Sequence, residues 1–164
     1  METGVLAPTD FEELLANQLL DHQGRRVEAT GLLARIFSFF KPDPIMIGVV
    51  HRVRKAGWAT ALITNSWGAA RPWEDMEGLF DAVLVSCDLG VRKPEPGIYL
   101  SAADALGTQP DRCVFIDDHP ANVSAAERVG MRGIRHLNAA TTVAILAAVF
   151  LERPADPPTR GGPL

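Results

Sequence analysis

Two aspartates stand side by side at positions 117 and 118, directly after the apolar run Val114-Phe115-Ile116. Adjacent carboxylates repel, so such a pair either raises one pKa or needs a cation or an ammonium beside it. Two other apolar runs lead into residues of complementary type. Residues 58–64 (WATALIT) end on Thr64, with Asn65 next. Residues 82–86 (AVLVS) lead to Cys87, Asp88 and then Lys93. Asn122 follows the aspartate pair by one helical turn. Hydroxyl and amide donors, one ammonium and a carboxylate pair suit a phosphoryl group and a divalent cation. Thr64 and Asn65 can donate to phosphate oxygens, Lys93 can neutralise charge, and Asp118 can act as a hard oxygen ligand for Mg2+.

Each residue also has a plainer reading. Thr64 and Asn65 could cap a helix, and Asp117 could cap the one that follows it. Lys93, before Pro94, could be a solvated loop lysine. Taken together at strand ends, the set favours a site. Cys87 with Asp88 would need a histidine to make a thiol nucleophile, and none lies nearby in sequence. His119 is either an acid-base or substrate contact or a plain loop histidine. Trp67 and Trp73, past Thr64 and Asn65, are expected to pack the helix there, with a substrate-lining role as the alternative for Trp67.

The elements that must position these residues follow from periodicity. Strands are predicted over 58–64, 82–86, 113–117 and 132–137, and helices over 45–56, 95–106, 121–130 and 141–152. Short apolar strands alternating with helices imply crossover units, a parallel sheet and an α/β fold. In such sheets the ligand site lies at the carboxyl ends of the strands. Upstream, Thr9 and Glu12 read as a capping box opening a helix that Gly24 stops. A second helix is predicted over 27–40. Its Phe37, Phe39 and Phe40 are either core or a homodimer surface. Pro42 and Pro44 are read as breaking the chain. The tail, 153–164, is rich in proline and glycine and is expected to be disordered.

The totals narrow the function classes. At 164 residues the chain is read as one domain, and its formal net charge of −4 with no basic stripe argues against a nucleic-acid surface. No apolar run reaches the ~18 residues of a membrane span. No charged-then-apolar leader opens the sequence. A cytoplasmic protein without membrane or nucleic-acid partners is expected, with Cys87 and Cys113 as reduced, buried thiols.

ALITNSWG, VRKPEPGIY and VFIDDHPANVSAAERVGM resemble the second, third and fourth motifs of the haloacid dehalogenase (HAD) superfamily. They are most similar to its phosphatase-like branch, which includes the N-terminal domain of soluble epoxide hydrolases. The resemblance covers residues 45–137, in the right order and spacing. It implies a single HAD-like domain over 1–152, with a Rossmann-like parallel sheet and flanking helices over 45–152 and a reduced helical cap over 9–40. It implies that Thr64 and Asn65 hold a phosphoryl group and that Lys93 and Asp117 belong to the catalytic set. Asp118 would ligate Mg2+, Asn122 would support its loop, and the substrate would be a small phosphorylated molecule. The acidic pair favours phosphoryl chemistry over dehalogenation, which uses no metal in this superfamily.

The first motif departs from the pattern. In the family it is a strand ending in DxD, whose first aspartate is the nucleophile. Aligned on Gly4-Val5-Leu6, the sequence METGVLAP puts Met1 at that position and Thr3 at the acid-base position. Glu2 and Asp10 are the nearby carboxylates, and the preceding apolar strand is absent. The central strand is therefore expected to be missing. The strands ending at Thr64 and Asp117 must then pair directly, or something else must fill the gap. Weak Mg2+ binding and little turnover are expected. The open explanations are a late start, a second chain that completes the sheet, or a non-catalytic HAD-fold binding module.

Overall fold

A short strand can bury both faces only where helices cover both, and its alternate side chains show which helix covers which. In β3 (Val114–Asp117), Phe115 joins an apolar cluster built on Ile98, Tyr99, Ala102 and Ala126. Val114 and Ile116 pack against a second cluster of Val49, Ile134, Leu146 and Val149. The computed structural model describes residues 6–66 and 78–152. It is an α/β fold with small parallel sheets between helices. The remaining elements are α1 (Pro8–Ala16), α2 (Leu32–Phe37), α3 (Pro44–Lys55), β1 (Ala61–Thr64), β2 (Ala82–Val85), α4 (Ser86–Leu89), α5 (Pro96–Ala105), a 3-10 turn (Pro110–Arg112), α6 (Pro120–Arg128), β4 (Arg132–Arg135) and α7 (Ala139–Glu152).

The strands form two parallel pairs. Thr64 of β1 lies opposite Val85 of β2, and Asp117 of β3 lies opposite Arg135 of β4. Among the described residues β1 and β3 do not pair with each other. Direct pairing across the gap, one of the two expected outcomes, is therefore not what the chain does.

Proline opens the core helices. Pro44, Pro96 and Pro120 each stand in the first turn, where the missing N–H has no partner to lose. Pro44 thus opens α3, within one residue of the start of the helix predicted over 45–56. Asp43 caps that helix by accepting the Ile45 N–H at 2.8 Å. On the other side of the sheet, β4 lies so close to α6 that a Cβ at Gly133 would come within 2.7 Å of Val123. Only glycine fits there.

The upstream helices differ from expectation. α1 ends at Ala16, not near Gly24, and Ala7 rather than Thr9 is its N-cap, without a side-chain bond. Glu12 is drawn elsewhere: its carboxylate accepts the N–H groups of Gly31 (3.2 Å) and Leu33 (2.9 Å), at the start of α2. Past α1, Asp21 accepts the N–H groups of Gln23 and Arg25. Its side chain offers the backbone a turn in place of a helix. The second helix is also shorter than the 27–40 predicted. It begins only after Gly31, whose φ of 68° lies in the left-handed region. Phe39 and Phe40 are 84% and 66% exposed, so these two are not core. Cys87 and Cys113 are half-buried rather than buried. Among the described residues no helix is long and apolar enough to cross a membrane.

Candidate active site

The carboxyl ends of the four strands share one edge, and a single lysine ties their contents together. The Lys93 backbone is held by the Asn65 side chain on both sides. Asn65 Oδ1 accepts the Lys93 N–H, and Asn65 Nδ2 donates to the Lys93 carbonyl, both at 2.9 Å. The Lys93 ammonium then reaches Asp117 Oδ2 at 2.7 Å. Asn65 follows β1 and Asp117 ends β3, so Lys93 spans the gap between the two strand pairs. The pair is largely out of water, with side chains 14% and 6% exposed.

Asp117 has further partners. Its Oδ1 accepts the His119 N–H at 2.8 Å, closing a local turn, and the Asn122 amide at 3.0 Å. Burial pushes its carboxyl up. The Lys93 ammonium, the His119 N–H and the Asn122 amide outweigh that and hold it below the ordinary carboxylate value. Asn122 is fixed in turn, because the Tyr99 hydroxyl donates to its carbonyl at 3.0 Å. Burial, reinforced by the Asp117 charge, pushes the Tyr99 hydroxyl up to about 12, against a lowering by Arg128. It stays a donor at any ordinary pH. Tyr99 meets the Phe115 ring edge-on at 5.0 Å between centroids, and the Lys93 ammonium lies 6.0 Å from the Phe115 centroid.

The two aspartates thus have different fates. Asp117 is buried and paired, while Asp118 is exposed at the strand end. Thr64 closes β1 on the same edge. Cys87 sits in α4 with its sulfur 3.5 Å from the Asp88 carboxylate. His119 is the exposed N-cap residue of α6. Trp67 and Trp73 lie outside the described residues.

Two supports were not singled out from the sequence. Ser86, fully buried, accepts the Ser66 N–H at 3.0 Å and fastens the end of β2 to the segment leaving β1. Tyr99 is the only tyrosine in the chain. A hydroxyl closing an apolar strand and a lone phenol on an apolar helix face were the available signals.

Chemically, this edge offers an ammonium held in place, polar donors around it, and one exposed carboxylate. Both oxygens of Asp117 are engaged by N–H donors, whereas Asp118 is exposed. Among the described residues no three carboxylate, imidazole or thiol groups gather as a metal cage. Mg2+ commonly keeps several waters and takes one or two carboxylates plus phosphate oxygens. The residues present fit such an ion held mainly through Asp118 and water.

Residues 5–130 match the haloacid dehalogenase-like hydrolase family. The chain belongs to that family. Among curated relatives, this HAD-like hydrolase is 30% identical over 142 residues to a glyceraldehyde 3-phosphate phosphatase of Methanopyrus kandleri, covering 82% of the chain and 60% of the relative. It is 31% identical over 125 residues to the bifunctional epoxide hydrolase 2 of Mus musculus, covering 69% of the chain and 23% of the relative. The chain therefore spans less than two thirds of either relative. Among solved structures, a HAD family enzyme of Bacteroides thetaiotaomicron in complex with magnesium and inorganic phosphate superposes with a TM-score of 0.65 at 20% identity. That match covers 82% of the chain and 71% of the neighbour. A predicted HAD-like hydrolase from Porphyromonas gingivalis gives a TM-score of 0.66 at 23% identity, over 94% of the chain and 77% of the neighbour. At those identities the two structures speak for the fold alone. The HAD-like hydrolase fold and the homology to phosphatases and to the epoxide hydrolase domain agree with the reading from the three motifs.

Proposed function

We propose that this HAD-like hydrolase is of the phosphatase type, acts on a small phosphate ester with Mg2+, and turns over little as the present chain. The observation that carries the reading is the Asn65–Lys93–Asp117–Asn122 network beside the exposed Asp118, all at the strand ends. Thr64 and the second N–H of Asn65 would face the phosphoryl oxygens. Lys93 would add positive charge while remaining paired to Asp117. Mg2+, when bound at Asp118, would neutralise phosphate charge. The Methanopyrus relative is a glyceraldehyde 3-phosphate phosphatase, which is in keeping with this chemistry. In-line attack needs a nucleophile about 3–3.5 Å from phosphorus. Among the described residues Asp88, Asp117 and Asp118 are the carboxylates that follow the strand ends; Asp117 is committed to Lys93, Asp118 would take the cation role, and Asp88 stands beside the Cys87 sulfur. That is the basis for expecting low turnover.

The experiment is a titration of inorganic phosphate with Mg2+ into the purified chain, run beside hydrolysis of p-nitrophenyl phosphate. Expected are weak phosphate binding that needs Mg2+ and disappears in Asp118→Ala, and hydrolysis near background. Absence of phosphate binding would overturn the phosphoryl reading and favour a silent binding module. Clear turnover that vanishes in Asp118→Ala would overturn the claim of low activity.

A further inference from the structure

The fourth strand also sends a polar side chain to the strand-end edge. His136 is the first residue past β4, and its backbone N–H donates to the Asp117 carbonyl at 2.9 Å. Asp117 lies opposite Arg135, so the same parallel ladder continued by one step pairs Asp118 with His136. Neighbouring strands lie about 4.8 Å apart, which brings His136 within a side chain's reach of the carboxylate assigned to the cation. The His136 ring borders a cavity of about 600 Å3 that Lys93, Asp117 and Asp118 also line.

α7 fixes the ring from the other side. Its Nδ1 lies 2.9 Å from the Thr142 hydroxyl oxygen. Thr142 stands near the start of α7 and is fully buried. That helix start is held in turn, because Asn138 Oδ1 accepts the Thr141 N–H at 2.9 Å. Among the described residues the Thr142 hydroxyl has no partner besides His136. A hydroxyl out of water must give its one hydrogen to an acceptor or leave a costly orphan. With Nδ1 as donor, that hydrogen would have nowhere to go. Thr142 therefore donates, Nδ1 accepts, and the neutral ring carries its hydrogen on Nε2. In that tautomer neither nitrogen offers a lone pair, so the ring is neither a cation ligand nor a general base. Nε2 has no partner among the described residues. What it offers the cavity is one N–H donor, a group that suits an anionic oxygen beside a cation.

We infer that His136 is a further substrate-binding residue of this site. It donates its Nε2–H to a phosphoryl oxygen of the bound ester, and Thr142 is the positioning residue that sets its tautomer. The donation rests on the phosphatase reading above. The tautomer rests on the buried hydroxyl alone.

The test uses the full chain labelled with 15N, its histidine ring nitrogens observed by NMR at about pH 8, where an imidazole is ordinarily neutral. His136 should show the Nε2–H tautomer alone, and Thr142→Val should turn it into a mixture. An Nδ1–H tautomer in the wild type would overturn the proposal. Inorganic phosphate is then titrated in with Mg2+. The His136 Nε2 resonance should move with the same Kd that calorimetry gives. His136→Phe should weaken phosphate binding about tenfold, the worth of one hydrogen bond to a charged group. His136→Gln, which restores an N–H donor, should recover most of that loss. Equal phosphate binding by wild type and His136→Phe would overturn the proposal and leave the phosphatase reading standing. Absence of phosphate binding in the wild type would overturn the donation together with that reading. Should His136→Phe fail to fold, the wild-type titration decides by itself: a ring resonance unmoved at saturating phosphate overturns the proposal.

Discussion

The β3–β4 pair and the β1–β2 pair are matched in strand length and unlike in commitment. β3 and β4 bury Phe115, Asp117 and Ile134, and α6 presses on them closely enough to exclude a side chain at Gly133. All four residues of β1 are only half-buried, and β2 buries Leu84 and Val85 while leaving Val83 45% exposed. The acidic half of the site grows from the well-packed pair, and its hydroxyl and amide donors grow from the looser one. Lys93 joins them, through its backbone to Asn65 and through its ammonium to Asp117. A site divided in this way depends on the joint more than on either side.

The largest expected effect is therefore at the joint. Lys93→Ala leaves the buried Asp117 carboxylate unpaired and should lower unfolding stability by about 3–5 kcal/mol in urea titrations. A loss below about 1 kcal/mol would show that the two pairs are held together by something else. Next, Gly133→Ala should cost about 1–3 kcal/mol by overpacking β4 against α6, without changing phosphate binding. If it weakens phosphate binding as much as it lowers stability, the two pairs are not separate units. Asn65→Ala removes two hydrogen bonds to the Lys93 backbone and should cost about 1–2 kcal/mol. It should also weaken phosphate binding, which distinguishes it from Gly133→Ala. Asp118→Ala should change stability by less than about 0.5 kcal/mol, as an exposed substitution does, while abolishing the Mg2+ dependence.

Acid should expose the same joint. The Asp117 carboxyl titrates below its unfolded value, so its contribution is present above about pH 4 and is lost as pH falls through the folded pKa. The wild-type chain should lose stability steeply below about pH 4. Lys93→Ala should flatten that limb, because the ammonium is a main source of the depression. An unchanged acid limb in Lys93→Ala would assign the depression to the His119 and Asn122 donors instead.

Much of the fold was legible because its signals are local. The apolar runs 114–116 and 58–64 mark strands, and helical spacing marks the helices predicted over 45–56, 95–106 and 121–130. The acidic pair was legible as a feature that needs a counter-charge, and Lys93 as a charge that could balance it. The division of labour was not: that Asp117 would take the lysine while Asp118 faced outward depends on which side chain the strand turns inward, at a strand end where alternation fails. The upstream helices misled for a related reason. Glu12 fits a capping box three residues from Thr9, and a partner 19 to 21 residues away won it. Local pattern ranks nearby partners and has no measure of distant ones. Phe39 and Phe40 looked like core by type, and their exposure reflects how little of the described chain packs near α2.

That long reach of Glu12 has a consequence for motion. α2 is six residues long, well under the ~12–15 that hold a helix alone in water. Two of the backbone donors at its start are satisfied only while α1 is in place. The two helices should therefore open together, as one cooperative unit with a common hydrogen-exchange rate. In Glu12→Gln, which keeps the shape and weakens the acceptor, the amides of Gly31 and Leu33 should exchange ahead of those in α1.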